Sequence, residues 1–498
     1  MFPDLDWPEA EREPLMPKRH DYDAVIVGAG PNGLAAAIAL GRQFNAVLLL
    51  EAAKTIGGGV RSAELTLPGF VHDVCSTVQT LSLASPFFRQ LDLPQYGVEW
   101  IQPEIPLAHP FEDGSALFLH RSLSITAEAM GADGKAYKRI LQPFVDHEQK
   151  LLADILKPLG FPASPFLMAR FAFQALHSVR DFVESNFRSD RTKALFAGLA
   201  AHAMIPLEKT ATAAFGIVLA TLAHTVGWPI IRGGSQKLAD ALGNCFRNGG
   251  GEIVTDRRIA SMADLPKAMS YFFDVTPRQL LHIEGLVLSD TYRKRLSRFR
   301  YGPGVYKMDW ALKAPIPWTA DICRKAGTVH LGGSLEEIAA SIRDVSAGKV
   351  SPAPYIVLAQ QSLFDSSRAP AGKHTAWAYC HVPHGSTADV WELIESRIEQ
   401  YAPGFREEIL ARNTLGAAAM EQYNANYVGG DINGGLQDLS QLYTRPIATL
   451  HPYRTSGENI YLCSSSTPPG GGVHGLCGYY AVQDLCRQMQ GACSRNGT

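Results

Sequence analysis

The feature that most constrains the fold is a glycine-rich turn between a predicted strand and a predicted helix. Residues 22–27 read Tyr-Asp-Ala-Val-Ile-Val, an apolar run typical of a buried parallel strand. Residues 28–33 then read Gly-Ala-Gly-Pro-Asn-Gly, which fits G-x-G-x-x-G, and the Ala- and Leu-rich segment that follows predicts a helix. A second apolar run over residues 46–50 ends at Glu51. This order predicts one βαβ unit at the start of a parallel sheet.

The spacing of these residues meets the needs of a bound dinucleotide. The first glycine permits the tight turn, the second lets a pyrophosphate approach the backbone, and the third lets the helix pack closely on the strand. The helix N-terminus offers free N–H groups to phosphates, and an acid 18 residues after the last glycine can accept hydrogen bonds from a ribose diol. The residues predicted to hold the dinucleotide are Gly28, Gly30, Pro31, Asn32, Gly33 and Glu51.

A second glycine-rich segment narrows the kind of dinucleotide. Residues 57–62 read Gly-Gly-Gly-Val-Arg-Ser and follow Glu51 closely. Glycines here allow a loop to pass over a pyrophosphate, and Arg61 can compensate its charge. A domain that binds NAD has no particular need for such a loop. The alternative interpretation of residues 57–62 is an ordinary turn with a surface arginine. Gly58, Gly59 and Arg61 therefore join the predicted site.

Beyond the first βαβ unit, long helical patterns alternate with short predicted strands. Helical patterns dominate from about residue 85 to 225, and they include residues 135–156, with a kink or break expected at Pro143, and residues 165–187. Further strands are predicted at residues 249–254, 271–275 and 459–463, and a closing helix at residues 479–490. The strands of the nucleotide-binding sheet thus lie in three separated blocks, which predicts two interleaved domains.

Composition excludes several classes of protein. Of the 498 residues, 46% are hydrophobic and 19% are charged, so a disordered chain is excluded. A formal charge of −2 gives no bulk field to collect nucleic acid, so no nucleic-acid partner is predicted. The eight cysteines form no C-x-x-C pair, which argues against a disulfide framework, a metal site and dithiol chemistry. A reducing, cytoplasmic location is the expectation.

One segment raises the question of a membrane span. Residues 210–231 contain no Asp, Glu, Lys or Arg, and 22 residues are enough to cross a bilayer. The segment also holds several threonines, two glycines and a proline, and its large aliphatic residues are sparse. A helix buried inside a large protein is therefore predicted.

The nucleotide-binding residues and later motifs together resemble one superfamily. The acid, the glycine run and the Arg-Ser pair after the first loop resemble the FAD-dependent amine oxidase and phytoene desaturase superfamily, most of all its carotenoid-desaturase-related branch. The motifs that extend the resemblance over nearly the whole chain are residues 64–76, 233–238, 273–277, 307–312, 401–405, 429–435 and 466–475. The resemblance implies FAD as the cofactor.

The resemblance also implies an architecture. The expected class is α/β, with a Rossmann-like FAD-binding domain of the glutathione-reductase type interleaved with a mixed α+β substrate domain. The expected boundaries are residues 1–20 for an N-terminal arm, 21–84, 226–297 and 444–498 for the FAD-binding domain, and 85–225 and 298–443 for the substrate-binding domain.

Further cofactor contacts are implied only by the resemblance. Ile259 matches the position whose backbone usually meets adenine. Gly471, Gly472 and Val473 match the loop that runs under the flavin pyrimidine, and the closing helix would aim its N-terminus at the flavin, where a positive dipole end stabilises the anionic reduced form. Ser464 stands where desaturases more often have glycine.

The sequence leaves the chemistry partly open. No second G-x-G-x-x-G directly follows a predicted strand, so we expect no NAD(P)H domain, and electrons would pass to oxygen, a quinone or another small acceptor. Candidate catalytic residues are His202, His381 and Tyr479, although a lone histidine on an apolar element is more often a core residue. Hydride transfer can proceed by positioning with little acid–base help.

The resemblance favours hydride removal from a hydrophobic small molecule. A redox-neutral isomerase and a catalytically silent binding or scaffold protein are the alternatives. An apolar cluster over residues 166–176 is predicted to be core, with a substrate-tunnel wall or a patch resting on a membrane as the other interpretations. Peripheral membrane contact and a homo-oligomer therefore remain open.

Overall fold

The computed structural model describes residues 21–496, with side chains described as far as residue 490, so the expected arm over residues 1–20 lies outside the described part. The strands are β1 (Tyr22–Val27), β2 (Val47–Leu50), β3 (Ser62–Glu64), β4 (Val71–Asp73), β5 (Trp100–Ile101), β6 (Ile105–Pro110), β7 (Ala116–Leu119), β8 (Ile230–Ile231), β9 (Glu252–Val254), β10 (Ala268–Phe273), β11 (Gly304–Leu312), β12 (Ala326–Leu331), β13 (Ile356–Ala359), β14 (His374–Val382), β15 (Ile409–Leu415) and β16 (Ile460–Leu462). The helices are α1 (Pro31–Gly41), α2 (Thr80–Ala84), α3 (Leu123–Ala129), α4 (Gly134–Asp146), α5 (Glu148–Ile155), α6 (Pro165–Ala175), α7 (Val179–Asn186), α8 (Asp190–Ala200), α9 (Ala213–His224), α10 (Gln236–Asn248), α11 (Pro277–Leu281), α12 (Asp290–Leu296), α13 (Leu335–Ser346), α14 (Trp391–Tyr401), α15 (Phe405–Glu408), α16 (Ala417–Tyr423), α17 (Leu439–Leu442) and α18 (Leu476–Asn496).

A five-stranded parallel sheet holds the predicted βαβ unit. Its order is β16-β10-β1-β2-β9, and every neighbouring pair runs parallel. The central strands are almost entirely apolar and buried, as expected for a sheet covered on both faces. Helix α1 packs against α10 and α18. The predicted α/β class with a Rossmann-like sheet is confirmed.

A second, mixed sheet has seven strands in the order β15-β11-β14-β13-β12-β6-β7. Only the pair β12–β6 is parallel, and the other neighbours are antiparallel. One face packs on the helices that precede α10, around Phe182 and Phe196, and the other packs on α14 and α15, around Trp310 and Phe405. The prediction of mainly helical structure from residue 85 to 225 missed three strands: β5, which pairs with the distant β8, and β6 and β7, which form a local hairpin that joins the sheet through β12.

The helix does not break at Pro143. Helix α4 continues through Pro143 to Asp146, and the chain bends at His147 before α5 begins. A proline removes the hydrogen bond to the carbonyl four residues earlier. Here that carbonyl, Arg139 O, accepts a hydrogen bond of 3.3 Å from Arg170 Nη2 on α6. A side chain from another helix thus satisfies the acceptor that proline leaves free.

The single helix predicted over residues 165–187 is two helices. Helix α6 ends at Ala175, and α7 begins after Ser178, whose hydroxyl accepts a hydrogen bond from Asp181 N–H. This is an ordinary N-cap, which makes a new helix start favourable at that residue.

The uncharged segment of residues 210–231 contains α9, as predicted. Its residues Ile217, Ala220 and Leu222 are fully buried in the protein. Among the helices of the described residues, none is both long enough and apolar enough to span a bilayer.

Candidate functional site

A cavity of about 1180 Å³ lies at the carboxyl ends of β1 and β2 and extends to the mixed sheet. Ligand pockets for drug-sized molecules have roughly 300–1,000 Å³, so this one has room for a larger ligand. Predicted site residues that line it are Gly28, Gly30, Pro31, Asn32, Glu51, Gly58, Gly59, Arg61, Ile259, Gly472 and Val473. The carboxyl ends of parallel strands are where open α/β sheets bind ligands.

Each of the three motif glycines in the first loop lies where a side chain would clash with a neighbouring residue. Gly28 has φ +100°, and a Cβ there would lie 2.9 Å from Asp274 O. A Cβ at Gly33 would lie 1.9 Å from Gly28 O, which is an impossible distance. Gly33 itself does not line the cavity, since it lies beneath the turn. A Cβ at Gly30 would lie 2.8 Å from Asp274 Oδ2. The loop therefore leaves bare backbone facing the cavity, as a pyrophosphate requires.

Glu51 and Arg61 form a buried ion pair at the edge of this loop. Glu51 Oε2 accepts from Ala29 N–H at 2.8 Å, and Glu51 Oε1 accepts from Ala53 N–H at 2.8 Å and from Arg61 Nη2 at 3.1 Å. A carboxylate has about four acceptor positions, so one position remains for a ribose hydroxyl. Arg61 also donates to Thr55 O at 2.7 Å, which fixes its orientation.

The C-terminal loop reaches the same cavity, with one exception. Gly472 and Val473 line it, together with Ser464. Gly471 does not line it, because that residue packs against Asn433, whose O would lie 2.9 Å from a Cβ. Asn32 Oδ1 is buried beside this loop without a hydrogen-bond partner in the described part of the chain, so a hydroxyl-bearing group fits there. Helix α18 starts at Leu476, three residues earlier than predicted.

Comparisons with known proteins agree with this arrangement. The family model for an NAD(P)-binding Rossmann-like domain matches residues 26–91. The mouse protein called pyridine nucleotide-disulfide oxidoreductase domain-containing protein 2 is 26% identical, and the alignment covers 94% of each chain. The hydroxyneurosporene desaturase of Cereibacter sphaeroides is 31% identical over 44% of this chain and 46% of its own. A putrescine oxidase variant, at 15% identity, shares the fold with a TM-score of 0.59, covering 94% of this chain and 99% of that one.

These similarities support the FAD-dependent amine oxidase and phytoene desaturase superfamily. FAD is accordingly the cofactor, and the cradle fits it: two glycine loops, a ribose-side acid with a free acceptor position and an unpartnered buried amide oxygen surround one cavity. In the described residues no cluster of three His, Cys, Asp or Glu is arranged to hold a metal ion, and seven of the cysteines are free thiols.

Asp274 lines the cavity beside the first glycine loop, and the sequence prediction missed it. It follows β10, lines the cavity and accepts a hydrogen bond from Gly33 N–H at 2.9 Å through Oδ2. Burial, with a smaller contribution from Glu51, raises the pKa of Asp274 to about 7. An acid directly after a strand of the nucleotide-binding sheet was visible in the motif at residues 273–277, and its position could have identified it.

Residues 423–427 form a strap across the FAD cradle that sequence reasoning also missed. Tyr423 OH donates to Gly58 O at 3.0 Å on one side. Asn426 Nδ2 donates to Asp274 O at 2.9 Å, and its Oδ1 accepts from Thr276 N–H at 2.9 Å, on the other side. The strap thus links the second glycine loop to the end of β10. No local signal in the sequence marks it.

A buried lysine faces the cavity from the mixed sheet. Lys307 on β11 donates to Asp309 Oδ2, two residues along the same face. Asp309 Oδ1 lies 3.6 Å from His72 Nδ1. Burial, followed by the charge of Lys307, lowers the pKa of His72 to about 3, so this histidine is neutral. Lys307 is therefore balanced by one carboxylate and adds no net charge to the cavity.

Of the three catalytic candidates, the structure brings only His202 to the cavity. His202 lines it, and its Nε2 lies 3.1 Å from His330 Nε2. His381 is buried on β14 outside the lining, and neither of its ring nitrogens has a hydrogen-bond partner in the described structure. Tyr479 packs in the core of the parallel sheet, with its ring 5.0 Å from that of Phe87, and does not reach the cavity. A tyrosine at the start of the closing helix is predicted to face the flavin, but the side chain of Tyr479 packs in the hydrophobic core.

The apolar segment of residues 166–176 does not form a tunnel wall. None of its residues lines the cavity. Phe171 is buried in the helical core, whereas Phe166 and Phe173 are 91% and 71% exposed. The core prediction holds for part of the segment, and the rest is an exposed apolar surface.

Proposed function

We propose that this chain oxidises a hydrophobic small molecule by removing a hydride. The observation that carries the proposal is one continuous cavity that joins the FAD cradle to apolar walls. Those walls are Leu219, Trp228, Val305, Val357 and Trp377. Bound FAD supplies a hydride acceptor at N5.

The residues of the chain would bind and orient rather than act as strong acids or bases. His202 is neutral at physiological pH, because burial lowers its pKa to about 4. Lys307 is held by Asp309 and so offers a fixed donor. Positioning alone can supply a large part of the rate of hydride transfer. Apolar walls also exclude water from the reacting carbon.

The proposed cofactor contacts follow from the residues that line the cavity. We propose that Gly28, Gly30 and the start of α1, with Pro31 and Asn32, meet the pyrophosphate, with Gly58, Gly59 and Arg61 passing over it. Glu51 would accept a ribose hydroxyl, and Ile259 would meet adenine. Gly472 and Val473 would lie under the flavin. We also propose the two-domain division at residues 21–84, 226–297 and 444–498 against 85–225 and 298–443.

The proposal includes an external electron acceptor, such as oxygen, a quinone or another small molecule. The described residues contain two G-x-G-x-x-G sequences, at residues 28–33 and 470–475, and both border the same cavity, so neither forms a separate NAD(P)H site. Redox-neutral isomerisation is the second candidate, and it would need no acceptor.

The test uses the purified flavoprotein under anaerobic conditions. We expect a hydrophobic alicyclic or polyunsaturated compound from a screen to bleach the flavin absorbance, and oxygen or a quinone to restore it. Turnover without any acceptor would identify an isomerase instead. A flavin that dithionite reduces but that no compound bleaches or isomerises would contradict the proposal and leave a binding or scaffold protein.

A further inference from the structure

A row of polar side chains crosses one face of the mixed sheet. The register pairs Lys307 with Tyr379, Tyr379 with Val357, and Val357 with His330 on successive strands. The parallel pairing of Ala108 with Val329 then sets His109 beside His330. Residues paired across neighbouring strands share a face. Lys307, Tyr379 and Val357 line the cavity, and the row continues beyond them into two buried histidines.

A second row on the same face adds another histidine. Tyr355 and His381 lie two residues along from Val357 and Tyr379, so they point the same way. Their rings are 5.9 Å apart, and Tyr355 OH donates to Gly198 O on α8 at 2.8 Å. We call His109, His202, His330 and His381 the histidine cluster.

The histidine cluster contains more hydrogen-bonding capacity than the protein uses. His109 Nδ1, His330 Nδ1 and both ring nitrogens of His381 are buried, with no partner among the described residues. A Cβ built on Gly198 would lie 3.0 Å from His330 Nδ1 and 3.5 Å from His109 Nδ1. The two nitrogens therefore border the same space, which glycine keeps open. Buried polar atoms are normally paired, so this concentration points to bound water or ligand.

His202 connects the cluster to the cavity. It follows α8, lines the cavity and shares one proton with His330 across the 3.1 Å between their Nε2 atoms. If His330 Nε2 donates the hydrogen bond, the proton of the His202 ring is on Nδ1, which is then a donor. If His202 Nε2 donates it, His202 Nδ1 carries no proton and is an acceptor. The pair can therefore present either a donor or an acceptor on His202 Nδ1, for which the described residues supply no partner.

The cluster is uncharged, and this limits the group that it can bind. Burial alone lowers the pKa of His202 to about 4, and burial also lowers the pKa of His381 to about 3. The lysine of the row is already balanced by Asp309. A carboxylate or phosphate at this end of the cavity would lack a compensating cation. A neutral hydroxyl or carbonyl matches the available donor or acceptor.

We propose that His202, backed by the rest of the histidine cluster, is the polar end of the substrate cavity, and that the substrate is a hydrophobic skeleton bearing a neutral oxygen function that hydrogen-bonds to His202. This inference rests on the proposed function, because it takes the cavity to be a substrate site. His330 acts as a positioning residue, since it sets which proton His202 presents.

The test compares two probes with one skeleton, 4-tert-butylcyclohexanone and tert-butylcyclohexane. Binding to the FAD-loaded protein is followed by tryptophan fluorescence, because Trp228 and Trp377 line the cavity. We expect the ketone to bind about 5- to 10-fold more tightly than the hydrocarbon, as one added hydrogen bond implies. His202→Phe should remove this preference without weakening the hydrocarbon, and His202→Asn, which keeps an amide near the Nδ1 position, should retain part of it.

The matched control is His224→Phe, because His224 is also buried but lies outside the cavity and bonds to Tyr137. It should leave the ketone preference intact. His202→Leu replaces His202→Phe if the larger ring prevents folding. Equal binding of the two probes, binding of neither, or a preference that survives the loss of His202 would overturn the inference. A preference that depends on His202 in a protein whose flavin no compound bleaches would overturn the proposed function alone.

Discussion

Glu51 Oε1 and Arg61 Nη2 lie 3.1 Å apart at the rim of the FAD cradle, and both side chains are about nine-tenths buried. The pair joins the end of β2 to the second glycine loop, so the acid serves two purposes. It holds Arg61 in place, and it keeps one acceptor position for a ribose hydroxyl.

We expect Glu51→Ala to weaken FAD binding by about 10- to 100-fold. The variant loses a ribose hydrogen bond and leaves Arg61 buried without its carboxylate, and hydrogen bonds to charged groups contribute about 1.5–3 kcal/mol. The measurement is flavin titration of the apoprotein, with flavin content after gel filtration as a second readout. Glu64→Ala is the control, because Glu64 is exposed on β3. Unchanged FAD affinity in Glu51→Ala would show that the ribose lies elsewhere.

FAD affinity should fall as pH rises above about 7. The pKa of Asp274 is raised to about 7, so this carboxyl is largely protonated at lower pH and ionised above it. Ionisation places a negative charge beside the loop that receives the pyrophosphate. Asp274→Asn keeps an oxygen acceptor for Gly33 N–H but cannot ionise, so its affinity should stay flat from pH 6 to 8.5. Titration of each apoprotein with FAD across this pH range measures the affinity of the wild-type protein and of Asp274→Asn. If FAD affinity changes equally with pH in the two proteins, Asp274 does not have this role.

The sequence predicted the parts of the fold that depend on neighbouring residues. The strand, glycine turn, helix and acid lie within 30 residues, and each glycine has a steric reason that is local to the turn. The superfamily resemblance added Ile259, Gly472 and Val473, which do line the cavity.

The errors arise where distant side chains decide the outcome. Helix α4 survives Pro143 because Arg170, from a different helix, bonds the freed carbonyl. His202 and His330 are 128 residues apart in sequence, and their contact depends on the register of the mixed sheet. The strap at Asn426 meets Asp274 from 152 residues away. No periodicity or motif specifies such pairings.

Stability should fall steeply between pH 6.5 and pH 4.5. Burial lowers the pKa to about 3 or 4 for His72, His109, His202, His224, His381 and His474. The unfolded chain, with histidine pKa values near 6.5, therefore binds more protons than the folded chain in this window, and stability rises with pH there. Each such histidine contributes about 1.4 kcal/mol per pH unit to the slope.

Denaturant unfolding at pH 7.5, 6.5 and 5.5 measures this slope. His381→Phe should lower this slope by the contribution of one histidine, because phenylalanine does not titrate. The His381 ring makes no hydrogen bond in the described structure that the substitution would remove. His177→Phe, at an exposed position, should leave the slope unchanged. A stability that does not depend on pH over this range would show that the buried histidines are solvated in the folded protein.

The exposed apolar surface formed by residues 159–176 should bind anionic membranes. Leu159, Phe161 and Phe166 are 77%, 87% and 91% exposed, and such a concentration of large apolar side chains marks an interaction site. Lys157 and Arg180 of this stretch are paired with Asp154 and Glu336, so apolar contact carries most of the binding, and Arg170 adds one positive charge towards anionic lipid. A membrane is also a natural source of a hydrophobic substrate.

We expect the protein to co-sediment with vesicles that contain phosphatidylserine. Vesicle binding should be weaker by about tenfold or more in the double variant Phe166→Ser, Phe173→Ser. Two exposed aromatic rings would be lost from the membrane-facing surface, whereas folding stability should change by less than about 0.5 kcal/mol, since neither ring is buried. Leu450→Ser is the matched control, because Leu450 is 93% exposed and lies far along the chain from the surface. Vesicle binding that survives the double variant would exclude this surface as the membrane contact. A protein that sediments as a dimer, and as a monomer in the double variant, would assign the same surface to a second copy of the chain.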